Sequence, residues 1–195
     1  MIVPRGIAVL GWGSLLWDGG DTFDRSHGPW SFDGPSLRLE FSRVSVSRQG
    51  ALTLVIDPEG GTQVQVAWCR SRCASLAETV DVLRAREKTT DRNIGRYAAD
   101  GEEVSNDTHT LDAIRTWAKE QEFEAVVWTD LRSNFRSTLQ QPFSVQAALR
   151  YLDGLQPDAR LKAIEYLRRA PAFVHTPVRD AVESSMAPSA QPIDA

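Results

Sequence analysis

Ile7-Ala8-Val9-Leu10-Gly11-Trp12-Gly13-Ser14-Leu15-Leu16-Trp17 is the stretch from which the rest of the chain can be read. Its first four residues form a continuous apolar run, the pattern of a strand buried on both faces, and the glycines that follow mark a turn out of the sheet. The backbone amides of that turn are therefore expected at the edge of the core. Three glycine-bearing motifs compete for the stretch, and each fails. A dinucleotide fingerprint needs a third glycine where Leu16 stands. A phosphate loop needs a lysine before Ser or Thr, and no lysine is near. A nucleophile elbow around Ser14 needs glycine at the positions of Trp12 and Leu16. Two readings remain. The turn offers N–H groups to an anion such as a substrate carboxylate, or it is a tight strand-to-loop turn with two packed tryptophans.

Outward from this strand, residues 20–35 are rich in Gly, Asp, Ser and Pro and read as a long loop. Leu37, Leu39 and Phe41 alternate, and Val44 and Val46 alternate in the opposite phase, which predicts a bulge near Ser42-Arg43. Leu52, Leu54 and Ile56, then Val64, Val66 and Trp68, form two further alternating sets. The turn-rich Asp57–Thr62 lies between them, so the pair is expected as a hairpin in an antiparallel sheet. Ser75-x-x-Glu78 is a capping box opening a helix over 76–87. Further helices are expected around Leu111, Ile114 and Ala118, after Ser144 (Val145, Ala148, Leu149, Leu152), and around Leu161, Ile164 and Leu167. Ala125-Val126-Val127-Trp128 reads as another buried strand. Strands first and helices afterwards predict an α+β fold. It is expected as a single domain over 1–182, with the Ser/Pro/Ala-rich residues 183–195 as a disordered tail.

The composition narrows the function. The chain has 195 residues, 42% apolar, with a formal net charge of −4, which argues against a phosphate-backbone binder and hence against nucleic acid. No run approaches a membrane span and the first residues do not resemble a signal peptide, so a cytoplasmic location is expected. Cys69 and Cys73 have no C-x2-C partner, and His27, His109 and His175 are scattered. Neither a disulfide scaffold nor a metal site is expected.

A second stretch, Arg84-Ala85-Arg86-Glu87-Lys88, ends the 76–87 helix. At 100° per residue, Leu76, Val80, Leu83 and Glu87 share one narrow sector, so Glu87 sits where the pattern asks for an apolar residue. Desolvation and the negative end of the helix dipole both raise the pKa of a carboxylate placed there, towards the range of a general base. Arg84, Arg86 or Lys88 pull the other way if they pair with it, and a helix-end salt bridge is the plainer reading. Tyr97 offers a hydroxyl or is simply packed. Asp130, Arg132, Asn134 and Arg136 follow an apolar strand and read as ligand-contacting or merely solvated. Cys69 continues a strand and is expected buried and inert.

Taken together, these residues resemble the γ-glutamylcyclotransferase superfamily. Leu10-Gly11-Trp12-Gly13-Ser14-Leu15 is similar to that family's F-G-Y-G-S-L loop, with Trp12 where the family has tyrosine. Val66-Ala67-Trp68-Cys69-Arg70 is similar to its G-V-A-Y-R strand, and Leu83–Lys88 to its L-D-x-R-E-K helix end. The order and spacing agree over about residues 6–97, roughly half the chain. The resemblance implies a small mixed β-barrel with flanking helices. It implies that Leu10, Gly11, Trp12, Gly13, Ser14 and Leu15 hold a small-molecule γ-glutamyl substrate, with Tyr97 taken as a further contact, and that Glu87 is the catalytic acid/base. The implied reaction turns the γ-glutamyl group into 5-oxoproline and releases an amine, amino acid or peptide, with no metal or organic cofactor. The other expectation is a non-enzymatic module of the same fold that holds a carboxylate-bearing ligand.

Overall fold

In the computed structural model, which describes residues 6–186, the strands pair into two sheets flanked by helices, an α+β arrangement. Ile7–Gly11 (β1) lies inside the larger sheet, antiparallel to Ala67–Ser71 (β6) and parallel to Ala125–Thr129 (β9). His27–Ser31 (β2) flanks β6. On the other side, Ile94–Ala98 (β7) pairs with β9, and Glu103–Val104 (β8) forms the far edge, giving the order β2-β6-β1-β9-β7-β8.

The apolar run of β1 has the expected cause. Ala8 and Leu10, with Val126 and Trp128 of β9, face the inter-sheet core. Ile7 and Val9, with Ala125 and Val127, face the opposite way, against Val80 and Leu83 of Leu76–Glu87 (α2) and Phe23 of Asp21–Arg25 (α1). A strand covered on both faces leaves no position for a polar residue. The predicted 76–87 helix is present residue for residue. Ser75 caps it, its Oγ accepting from the Glu78 N–H at 3.2 Å while Glu78 Oε2 accepts from the Ala74 N–H at 2.8 Å.

The smaller sheet corrects the hairpin expectation. Ala51–Ile56 (β4) and Thr62–Gln65 (β5) do not pair with each other. Both pair with Ser36–Ser45 (β3), one on each edge. β3 is ten residues long and bends where the phase slip predicts, with a register shift between Phe41 and Arg43. Its C-terminal part thus takes β4 while its N-terminal part takes β5. The Asp57–Gly61 turn crosses β3 at Arg38–Leu39, and Gly61 is needed there. A Cβ would lie 2.5 Å from the Asp57 carbonyl oxygen and 2.8 Å from the Leu39 nitrogen.

The expected single barrel is absent, since no barrel closes among the described residues. At one seam Val66, between β5 and β6, donates to the Pro35 carbonyl and accepts from the Gly34 N–H. At the other a single bridge joins Ile56 to Arg132. Pairing this short lets the chain pass between sheets without closing the wall.

The expected loop over 20–35 is also corrected, since it contains α1 and β2. Its composition favours turns, but Phe23, His27 and Trp30 pack ring against ring, with centroids 4.7, 5.2 and 6.4 Å apart, and pin the segment to β6. Thr108–Glu120 (α3), Val145–Asp153 (α5) and Pro157–Arg169 (α6) stand where the sequence expects helices. Phe135–Leu139 (α4) and Pro177–Met186 (α7) were not anticipated, nor were β7 and β8. In α7 the buried Val178 and Val182, one turn apart, join the inter-sheet core. The helix continues through Glu183, which accepts from Arg179 Nε at 2.8 Å, so order extends four residues into the expected tail. Residues 187–195 lie outside the described residues. Among those described, no helix is long and apolar enough to cross a membrane.

Candidate functional site

The parallel neighbours β1 and β9 both end at one side of the larger sheet, and a cavity of about 1120 Å³ opens there. Its wall combines the 10–15 turn, the last turn of α2, the tip of the β3–β4 hairpin and Tyr166 of α6.

Each stretch arrives for a local reason. At Gly11 a Cβ would lie 2.7 Å from the Trp30 ring, so a side chain there would displace the aromatic anchor of β2. After Gly13 the chain enters one turn of 3₁₀ helix, Ser14–Leu16, whose Ser14 carbonyl accepts from Trp17 and Asp18. Leu10 and Trp12 bury their side chains in the inter-sheet core and Leu15 in the core under α2. Among the sequence-predicted loop residues, only Ser14 therefore presents a polar side chain to the cavity. In α2, Val80 and Leu83 hold the helix on the sheet, and one turn on Glu87 reaches the cavity wall instead of the apolar core. Lys88, in the left-handed region at φ 49°, ends the helix.

The Ser14 hydroxyl is the hub. Arg86 Nη2 donates to its Oγ at 3.1 Å and Arg48 Nη2 at 3.2 Å. Arg86 also donates to Glu87 Oε1 at 2.6 Å and to the Asp18 carbonyl at 2.6 Å. One guanidinium thus ties the end of α2 to the 3₁₀ turn and partners the carboxylate, the ion pair that the plainer reading of Glu87 expects. The Arg86 and Glu87 side chains are only 11% and 16% exposed, where an ion pair is poorly screened. Arg48 lies over the Tyr166 ring, 4.6 Å from its centroid. The Tyr166 phenol is buried beside Ser14, and burial pushes its pKa up, while the Arg48 charge opposes that. It therefore stays a neutral phenol over the physiological range.

The structure thus gathers Ser14, Arg86 and Glu87, together with the backbone of the 10–15 turn. It does not bring Tyr97 in. That residue is 4% exposed within the inter-sheet core and does not line the cavity, because its strand position faces the same way as Val126 and Trp128. Asn134 does line the cavity, but its side chain is spent on the backbone of Val44, accepting from the N–H at 2.7 Å and donating to the carbonyl at 3.1 Å. Asp130 is buried, accepts from the Asn106 N–H, and has its pKa raised by desolvation. Cys69 is buried as expected, and burial pushes its thiol pKa far up.

Sequence reasoning missed Arg48 and Tyr166. Tyr166 carried a signal, since it shares the buried stripe of α6 with Ala163, Ile164 and Leu167 and is the one member of it with a polar end. Arg48 carried none, because only the hairpin geometry turns it inward. Among the described residues no group of His, Cys, Asp and Glu is arranged to hold a metal ion. Compared with known protein families, with curated proteins and with solved structures, the chain matches none.

Proposed function

We propose that the chain is a γ-glutamylcyclotransferase-like enzyme acting at the Ser14 cavity. The observation that carries this reading is the meeting of the glycine turn and the Arg86-Glu87 helix end at one hydroxyl. The two motifs lie more than seventy residues apart in sequence, yet Arg86 Nη2 reaches Ser14 Oγ at 3.1 Å. In the proposed reaction Glu87 takes a proton from the α-ammonium group of the substrate. The freed amine attacks the γ-carbonyl, and the proton passes from Glu87 to the γ-amide nitrogen as its C–N bond breaks; the attacking nitrogen sheds its second proton to the released amine through solvent, giving 5-oxoproline and an ammonium ion. Holding amine and carbonyl together accounts for about 7–11 kcal/mol of barrier in well-oriented intramolecular reactions. Donors aimed at the developing oxyanion add to this. The Tyr166 phenol stands beside the turn that carries Trp12, and so supplies from α6 the hydroxyl that position 12 lacks.

The Arg86–Glu87 pair at 2.6 Å favours the second reading, a binding module for a carboxylate-bearing ligand in which Glu87 only anchors Arg86. Release of 5-oxoproline from glutathione, γ-glutamyl dipeptides and γ-glutamyl amines separates the two. The enzyme reading expects turnover that falls at least about a hundredfold in Glu87→Gln, in a chain that remains folded because the amide oxygen still accepts from Arg86. Silence across the panel from folded protein would overturn it in favour of the binding module, and full activity in the variant would remove Glu87 from the mechanism.

A further inference from the structure

Arg48 differs from the other arginines that bond side chains. Arg84, Arg86, Arg96, Arg115, Arg160 and Arg179 each meet a carboxylate within ion-pair distance. Among the described residues, none stands within that distance of Arg48. Its contacts are the Ser14 hydroxyl at 3.2 Å and the Tyr166 ring at 4.6 Å. A guanidinium carries five N–H donors in a planar fork that matches a carboxylate in two-point contact. Stacking on Tyr166 occupies one flat face, and the Ser14 bond uses one donor, so most of the fork edge is left for the cavity that Arg48 lines. The cavity is lined by Arg43, Arg48, Arg86 and Lys88 against Asp18, Asp21 and Glu87, one positive charge in excess. Arg86 and Glu87 offset each other, and Arg48 has no carboxylate of its own.

The side chain is also held in place before any ligand arrives. It leaves the hairpin tip at the end of the Val46–Arg48 turn, which Gln49 closes at φ 55°. The Tyr151 hydroxyl donates to the Gly50 carbonyl at 2.7 Å, and Lys162 Nζ donates to Gln49 Oε1 at 3.4 Å. Two helices, α5 and α6, thus brace the tip, and a braced cation costs less to engage than one that must first be ordered. A hydrogen-bonded chain runs from Arg48 through Ser14 and Arg86 to Glu87, with a free cation at one end and a carboxylate at the other.

We infer that Arg48 is the receptor for a carboxylate on the ligand and the residue that makes the cavity select ligands bearing one. Resting on the reading proposed above, that carboxylate is the α-carboxylate of the γ-glutamyl group. Arg48 and Glu87 then read the two charges of one amino-acid head.

The test uses a pair of unreactive probes that differ only in this group, 5-oxoproline and 5-oxoprolinamide, titrated by NMR against the full chain. Neither probe carries the amine on which Glu87 would act. The parent is expected to bind the acid at least about tenfold more tightly than the amide. Arg48→Gln is expected to erase that preference, and Arg48→Lys to keep part of it, as a point charge without the fork. Equal affinity of the parent for both probes, no binding of the acid, or an undiminished preference in Arg48→Gln would each overturn the inference. Should Arg48→Gln not fold, loss of the preference in Arg48→Lys below half of the parent ratio supports it and an unchanged ratio overturns it. The two proposals fail separately. An Arg48-dependent preference without 5-oxoproline release sinks the enzyme and keeps the receptor, while release without that preference does the reverse.

Discussion

Two polar clusters lie deep in this molecule, one around Ser14 and one around Glu40, and they solve the burial of charge in opposite ways. Glu40, in β3, is fully buried. Its Oε1 accepts from the Phe41 N–H at 2.6 Å and its Oε2 from the Val178 N–H at 3.3 Å, in the first turn of α7, with Thr176 beside it. No charged group is within ion-pair distance of it among the described residues, and Asp57 is a like charge. The cluster is closed, its Thr176 and Val178 contacts fasten the start of α7 onto the small sheet, and no face is left for a ligand. Around Ser14 the groups bond one another yet still face a cavity, and one cation keeps most of its donors free. A buried carboxylate is therefore no pointer to chemistry by itself. What distinguishes a site is polar capacity left over beside open space.

The largest effect separating the two clusters is expected at Glu40. Glu40→Ala removes the acceptor of two buried N–H groups, at about 1–3 kcal/mol for each donor left unsatisfied. A net loss of about 2–4 kcal/mol is expected in urea unfolding at constant m-value. The affinity ratio of the two oxoproline probes should not change. A shift in that ratio would mean that the clusters communicate, and the contrast drawn between them would fall.

The difference also explains what the sequence could carry. β1, α2, α3, α5, α6 and β9 announce themselves by periodicity and caps, because in them burial is local and regular: Ser75, Asp107 and Ser144 each accept from the N–H three residues on. The β4–β5 hairpin expectation fails because alternation says that a strand has a buried face and not which strand it meets. The long β3 offers two edges, and sequence adjacency favoured the wrong partner. In the site, Glu87 was legible as a break in an apolar stripe and Ser14 as part of a glycine turn. Their bridging through Arg86 was not, since it depends on where α2 overhangs β1. Of the two readings of Tyr97 the packed one holds, because the phase of β7 turns its ring into the inter-sheet core.

A sharper form of the contrast uses pH. Burial raises the Glu40 pKa above its ordinary 4.5, against the lowering effect of Thr176 and the two N–H donors. The folded state thus binds the Glu40 proton more tightly than the unfolded chain does. Its stabilising contribution is full below the ordinary value and is lost as pH rises through the folded one. Glu40→Gln cannot titrate. The stability of the parent relative to Glu40→Gln is therefore expected to be greatest near pH 4 and to fall towards neutrality, by no more than about 1.4 kcal/mol per pH unit for a single proton. Urea midpoints of both chains measured from pH 4 to 7 check this. A difference that grows with pH would mean that Glu40 is stabilised as the charged form, which would make its cluster an ion-holding site like the other.

The smallest effect expected on stability falls on the cavity side, at Tyr166. Tyr166→Phe keeps the ring on which Arg48 lies and its packing against Trp17, with centroids 5.8 Å apart, and removes only the hydroxyl beside Ser14. The hydroxyl has no buried N–H depending on it, so the loss in stability should stay within about 1 kcal/mol. If the phenol is the donor that position 12 lacks, however, 5-oxoproline release should fall about tenfold or more while the probe-affinity ratio set by Arg48 persists. Stability and function then separate at one atom. The opposite result, several kcal/mol lost with activity preserved, would place Tyr166 with Glu40 as a fastener. The Ser14 cluster would then be a structural clasp that happens to border a cavity.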